Sequence, residues 1–127
     1  MTKKKQSKPR PVKAMALADA AAATDTRVIE VPAGGTLDVI VDVGPMTVPY
    51  IVRYGITTVI KSLVDRAEAV SLLKGDQKLT WTFIHQAKNW THTIAVSINN
   101  GPPIILESKS EAKKDPDVSA DFVVIRA

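Results

Sequence analysis

Hydrophobic and polar positions alternate along several short runs of this chain, most regularly between Lys78 and Glu107. Leu79, Trp81, Phe83 and His85 alternate with Thr80, Thr82 and Ile84. Trp90, His92, Ile94, Val96 and Ile98 alternate with Thr91, Thr93, Ala95 and Ser97. A period of two, rich in β-branched and aromatic residues, is the pattern of a half-buried strand. With Gln86–Asn89 as a loop, the two runs form a hairpin. His85 then faces Trp90, Phe83 faces His92, Trp81 faces Ile94 and Leu79 faces Val96. Every large residue falls on one face, and Thr82 opposes Thr93 on the other. A slip of one residue would invert both faces. The next turn, Asn99-Asn100-Gly101, is read as a loop with Gly101 left-handed, because that register sets Ile104 opposite Val96 and Leu106 opposite Ile94. Pro102 and Pro103 cannot donate to a ladder, so the strand they open belongs at or near a sheet edge.

The same pattern continues elsewhere. Arg27–Val31 and Thr36–Val43 flank the turn residues Pro32-Ala33-Gly34-Gly35. Leu37, Val39, Val41 and Val43 form the apolar face of the second run. Tyr50, Val52, Tyr54 and Ile56 predict a strand, with Gly55 as a break. Residues 57–74 are open between two readings. Val59, Ile60, Leu63, Val64, Ala67, Val70 and Leu73 fit helical spacing, with a threonine cap and Gly75 as a stop. The β-branched residues and the strands on either side favour two strands instead, joined at Asp65–Glu68. Ser108–Ser119 reads as a polar loop and Ala120–Arg126 as a strand buried on both faces. The expected fold is mainly β: a single-domain antiparallel sandwich of jelly-roll or Ig-like type over residues 27–127. One helix at 57–74 is the variant of that fold.

The N-terminus differs in composition from the rest of the chain. Residues 1–13 hold Lys3, Lys4, Lys5, Lys8, Arg10 and Lys13 and no acid. Of 17 basic and 13 acidic residues in the chain, that leaves 11 against 13, so the positive charge belongs to the arm and not to the domain. Residues 1–26 are therefore read as a basic, Ala-rich arm ahead of the domain. Ala14–Ala23 has the propensity for a short helix. It is too weakly apolar, and too interrupted by Asp19, to read as a secretory signal. The expected location is cytoplasmic or within a virion. No run of apolar residues is long enough for a membrane-spanning helix. Cysteine is absent, which excludes disulfides, thiolate metal sites and cysteine nucleophiles.

Candidate chemistry is sparse. His85 and His92 share a face, but two histidines without a third ligand do not make a metal site. Trp90 follows a loop and, with His85, Lys88 and His92, could offer a stacking site for a sugar or other small ligand. Asp38 and Asp42 read as a solvated strand face. Glu111, Asp115 and Asp117 lack the spacing of a calcium loop. No phosphate-binding loop, nucleophile elbow or zinc-protease motif is present, and no cofactor is expected. The leading expectation is a non-enzymatic structural protein that self-assembles as a homo-oligomer, capsid-like or otherwise. Its arm residues Lys3, Lys4, Lys5, Lys8, Arg10 and Lys13 would contact a neighbouring subunit or nucleic acid without sequence preference. The alternative is a carbohydrate- or small-ligand-binding module using the tip around Trp90.

Six arm cations predict salt-sensitive retention of nucleic acid, with log affinity falling against log salt at a slope of up to about 5. In a gel-shift assay the full chain should retard a DNA or RNA duplex and a chain starting at Ala14 should not. Equal behaviour of the two would make the arm a tail without a nucleic-acid role.

Overall fold

The computed structural model describes residues 28–86, 89–111 and 117–127. Nine strands run in order: β1 (Val28–Glu30), β2 (Leu37–Asp42), β3 (Tyr50–Tyr54), β4 (Thr57–Ser62), β5 (Arg66–Ala69), β6 (Asp76–His85), β7 (Trp90–Ile98), β8 (Ile104–Glu111) and β9 (Asp117–Arg126). They make two sheets, one in the order β1-β9-β6-β3-β4 and the other in the order β5-β2-β7-β8. All ladders are antiparallel except that of β1, which joins β9 in parallel. No helix occurs among the described residues, and so none there is long and apolar enough to cross a membrane.

The alternation read from the sequence puts the inner faces where expected. Leu79, Trp81 and Phe83 of β6, Ile94 and Val96 of β7, and Leu37, Val39 and Val41 of β2 are all buried in one core between the sheets. The pairing differs from the expected hairpin. β6 lies between β9 and β3, whereas β7 lies between β2 and β8 in the other sheet. Thr82 is flanked by Ile51 and Ala120, not by Thr93. Two strands whose apolar faces match can satisfy that match side by side or face to face. Facing each other buries both rows of large side chains against a full second layer, which a hairpin alone cannot do.

Residues 57–74 are strands, not a helix. β4 pairs with β3, and β5 pairs with β2 across the sandwich. Between them the chain changes sheets, pinned by three bonds: the Tyr50 hydroxyl donates to the Val64 carbonyl, the Val48 amide to the Leu63 carbonyl and the Val43 amide to Asp65 Oδ1. Of the supposed helical stripe, only Ile60 and Val70 are buried, while Leu63, Val64 and Leu73 are exposed. The spacing was therefore a coincidence of two strands with different inner faces.

Only two connections are hairpins. β3 turns into β4 at Gly55, whose φ of 60° suits glycine and whose Cβ, if present, would sit 2.8 Å from Gln77 Oε1. β7 turns into β8 through Asn99 and Asn100, both left-handed at φ 53° and 58°, closed by the Gly101 amide donating to the Ile98 carbonyl. The left-handed residues are thus the two asparagines, which tolerate that region, and not Gly101. Ile104 does oppose Val96, but a bulge then makes Glu107, not Leu106, the partner of Ile94. As the prolines required, β8 is an edge strand. Residues expected in the 108–119 loop extend β8 to Glu111 and open β9 at Asp117. β9 is buried on one face only: Val123 and Ile125 are inside, and Phe122 is exposed.

The inner faces predict a contrast in stability. Leu79→Ala should lower the unfolding free energy by about 2–5 kcal/mol in a urea titration, through lost burial and the cavity left behind. Ile56→Ala, at a turn position 96% exposed, should change it by less than about 0.5 kcal/mol.

Candidate functional site: a buried carboxylate–imidazole chain

At one end of the sandwich the facing strands carry rings in place of aliphatic side chains. β6 contributes Phe83 and His85, β7 contributes Trp90 and His92, and β3 contributes Tyr50. The two imidazoles lie side by side, and a ring from the opposite sheet stacks on each: Phe83 on His92 and Trp90 on His85. Tyr50 lies 5.2 Å from Phe83 between centroids, Phe83 3.9 Å from His92, His92 4.9 Å from His85, and His85 3.5 Å from Trp90. The alternation thus named the right neighbours, His85 with Trp90 and Phe83 with His92. They meet across the core and not along a ladder.

A hydrogen-bonded chain runs through this cluster. His85 Nε2 lies 2.8 Å from His92 Nδ1, and His92 Nε2 lies 2.7 Å from Glu107 Oε1. Trp81 Nε1 donates to the same carboxylate oxygen at 3.0 Å. Lys109 Nζ approaches Glu107 Oε2 at 3.7 Å, at the more open end. The β8 bulge explains how Glu107 comes to be there. By shifting the register between Ile94 and Ala95 it turns Glu107 toward the inner face beside Ile94. Glu107 was not singled out in the sequence, because an acid in a strand ordinarily faces water. Only the bulge sends it inward.

The bonds dictate where the hydrogens sit. Glu107 feels burial, which pushes its carboxyl up, but the hydrogen bonds from His92 and Trp81 and the charge of Lys109 outweigh it and hold the carboxyl below its usual range. The carboxylate therefore accepts from His92 Nε2–H. His85 is 1% exposed. Its pKa is lowered to about 4, mainly by burial and then by His92, with Asp117 and Glu107 opposing. A neutral His85 carries one hydrogen. If that hydrogen were on Nδ1, a buried donor would lack a partner, since His85 Nδ1 makes no hydrogen bond. Placed on Nε2, it is donated to His92 Nδ1, and only a lone pair remains unpaired on His85 Nδ1. Tyr50, beside Phe83, donates to the Val64 carbonyl at 2.6 Å, and burial pushes its phenol up to about 12.

Of the candidate ligand residues, His85, Trp90 and His92 are all buried, at 1%, 5% and 0% exposure. They come together, but as core and not as a surface. Lys88 and the six arm residues lie outside the described residues. Asp38 and Asp42 are half-buried, and Asp42 Oδ1 accepts from the Gly44 amide as a turn would have it. No group of three potential metal ligands occurs among the described residues. A carboxylate hydrogen-bonded to two imidazoles in series is an arrangement that can relay a proton, but its outer member, His85, is buried beneath Trp90. Its evident work is to fix the facing register of the two sheets while satisfying polar groups that an apolar core could not. No protein-family model, curated protein or solved structure matches the chain.

The lowered pKa of His85 has a sign. In the unfolded chain its pKa is 6.5. Between that value and about 4 the unfolded state binds the extra proton and the folded state does not, so stability is whole above pH 6.5 and is lost as the pH falls to 4. The loss should be about 3 kcal/mol, read from urea unfolding at pH 7, 5.5 and 4. His85→Leu should be less stable at pH 7 yet lose less across that range. A stability independent of pH between 7 and 4 would contradict the assignment.

Proposed function

We propose that this chain is a non-enzymatic structural protein that assembles with copies of itself through the outer face of its five-stranded sheet. That face carries the reading. Ile84, Val118 and Phe122 are 43%, 57% and 37% exposed on it, and Ile84 and Val118 are ladder partners. Beside them a groove of about 460 Å³ is lined by Pro49, Tyr50, Ile51, Lys61, Leu63 and Ile84, with Ser62 and Thr82. Apolar side chains grouped beside a groove are what a docking surface for another protein uses. The enclosure of both imidazoles and Glu107 in the core supports a non-catalytic role.

The arm belongs to this proposal. With its six cations placed ahead of a sandwich whose acids and bases balance, it would reach a neighbouring subunit or nucleic acid held by the assembly. The finer fold type, jelly-roll or Ig-like, is proposed on similar grounds. Six of the eight connections join strands of different sheets, as the Greek-key connections of such sandwiches do. A cytoplasmic or virion location goes with the same reading.

Size-exclusion chromatography with light scattering tests it. The full chain should form a species of defined mass larger than 13.7 kDa, and Ile84→Lys with Val118→Lys should return it to monomer without lowering its unfolding midpoint. A full chain that is monomeric at every concentration would overturn the proposal.

A further inference from the structure

Acids and bases balance in number over residues 27–127, but the fold separates them. Val52 and Tyr54 of β3, Leu79 of β6 and Ile60 of β4 belong to the core. Their neighbours Arg53, Lys78 and Lys61 therefore point outward from the five-stranded sheet, and all three are exposed. The registers set them on one diagonal. Lys61 pairs with Ile51 of β3, two residues before Arg53. Arg53 pairs with Thr80 of β6, two residues after Lys78. Each step crosses one strand and advances two residues in the same sense, about 8 Å between Cα positions. At the end of the line stands Phe122 of β9, which pairs with Thr80 and is 37% exposed. Lys78 Nζ lies 4.6 Å from the centre of its ring.

Nothing on this face neutralises the line. Among the described residues none of the three cations has an acidic partner. The acids that share the outer face, Asp76 and Glu30, sit at its far edge, and both lie against Arg126. On the four-stranded sheet the outward positions of β2 carry Asp38 and Asp42 instead. A stripe of cations with no acids between them, on one face of a domain balanced in charge, is the electrostatic footprint of a polyanion. The exposed ring selects among polyanions. A stacked duplex offers a flat sheet only its phosphates, whereas a single strand also offers base faces to an aromatic side chain.

We infer that this stripe binds single-stranded nucleic acid, with Lys61, Arg53 and Lys78 along the phosphate backbone and Phe122 under a base. Thr80, between Arg53 and Phe122, adds a hydroxyl to the path. The site is distinct from the basic arm and goes beyond self-assembly. The Ile84–Val118 row lies four residues along β9 from Phe122, about 13 Å away, so a single copy of the chain holds the whole stripe.

A full-length chain carrying Lys3→Gln, Lys4→Gln, Lys5→Gln, Lys8→Gln, Arg10→Gln and Lys13→Gln removes the arm's contribution. Fluorescence anisotropy with a labelled oligouridine of about twelve bases, a length within the reach of one binding face, then reads the stripe. The strand should bind more tightly than a duplex of the same length. Arg53→Ala, Lys61→Ala and Lys78→Ala together should weaken binding at least about tenfold and lower the slope of log affinity against log salt by about 2. Phe122→Ala should weaken it about tenfold and leave the slope unchanged, because stacking releases no counterions. Lys74→Ala, in the loop before β6, should change neither, and each variant should keep the circular dichroism of its parent. Monomeric and assembled fractions should bind alike, so a failure of self-assembly leaves this result standing. An unbound strand, equal affinity for strand and duplex, or a Lys74→Ala effect as large as that of the triple variant would overturn the inference. Retention on phosphatidylserine vesicles that the triple variant abolishes, with the strand unbound, would overturn it in favour of a membrane surface.

Discussion

The rest of this structure depends on the contact between the inner faces of β6 and β7. Each strand is the inner member of its sheet that carries the largest side chains, and each brings two neighbours with it: β9 and β3 with β6, β2 and β8 with β7. Bringing Leu79, Trp81 and Phe83 against Ile94 and Val96 therefore seats two whole sheets on one another. Removing apolar area from water is the driving force. The direction is set by the pleat, since only one face of each strand can supply that area.

At one end the contact turns polar, and there the constraint is stricter. Aliphatic side chains tolerate small shifts of one sheet over another. A carboxylate bonded to an imidazole at 2.7 Å, itself bonded to a second imidazole at 2.8 Å, does not. Glu107, His92 and His85 come from β8, β7 and β6, so the chain of bonds ties both sheets at one relative position. A half-satisfied network in a core is worse than none, which is why the bulge that turns Glu107 inward matters more than its single extra residue suggests. Trp90 Nε1 is buried without a hydrogen-bond partner, so the arrangement is not free of cost.

Much of this was legible in the residues, and what was not has physical reasons. Alternation at 79–85 and 90–98 identified the buried faces and even the ring neighbours, because side-chain direction in a strand follows from parity alone. It could not say whether two matching faces lie side by side or face to face. That choice depends on what the other strands supply, in particular β9 and β3 as flanks for β6. At 57–74 a helical spacing and two strands predicted the same apolar positions, and the deciding bonds, from Tyr50 and Val43, are remote in sequence. Glu107 was invisible as a site residue because its inward turn comes from a bulge. The basic arm was plain in the composition.

The hydrogen-bonded chain joining β6, β7 and β8 holds the two sheets at one relative position, and imidazole nitrogen NMR at neutral pH measures it most directly. His85 and His92 should each carry their hydrogen on Nε2, with a scalar coupling through the hydrogen bond from His85 Nε2 to His92 Nδ1. A hydrogen on His85 Nδ1, or two imidazoles exchanging freely with solvent, would contradict it.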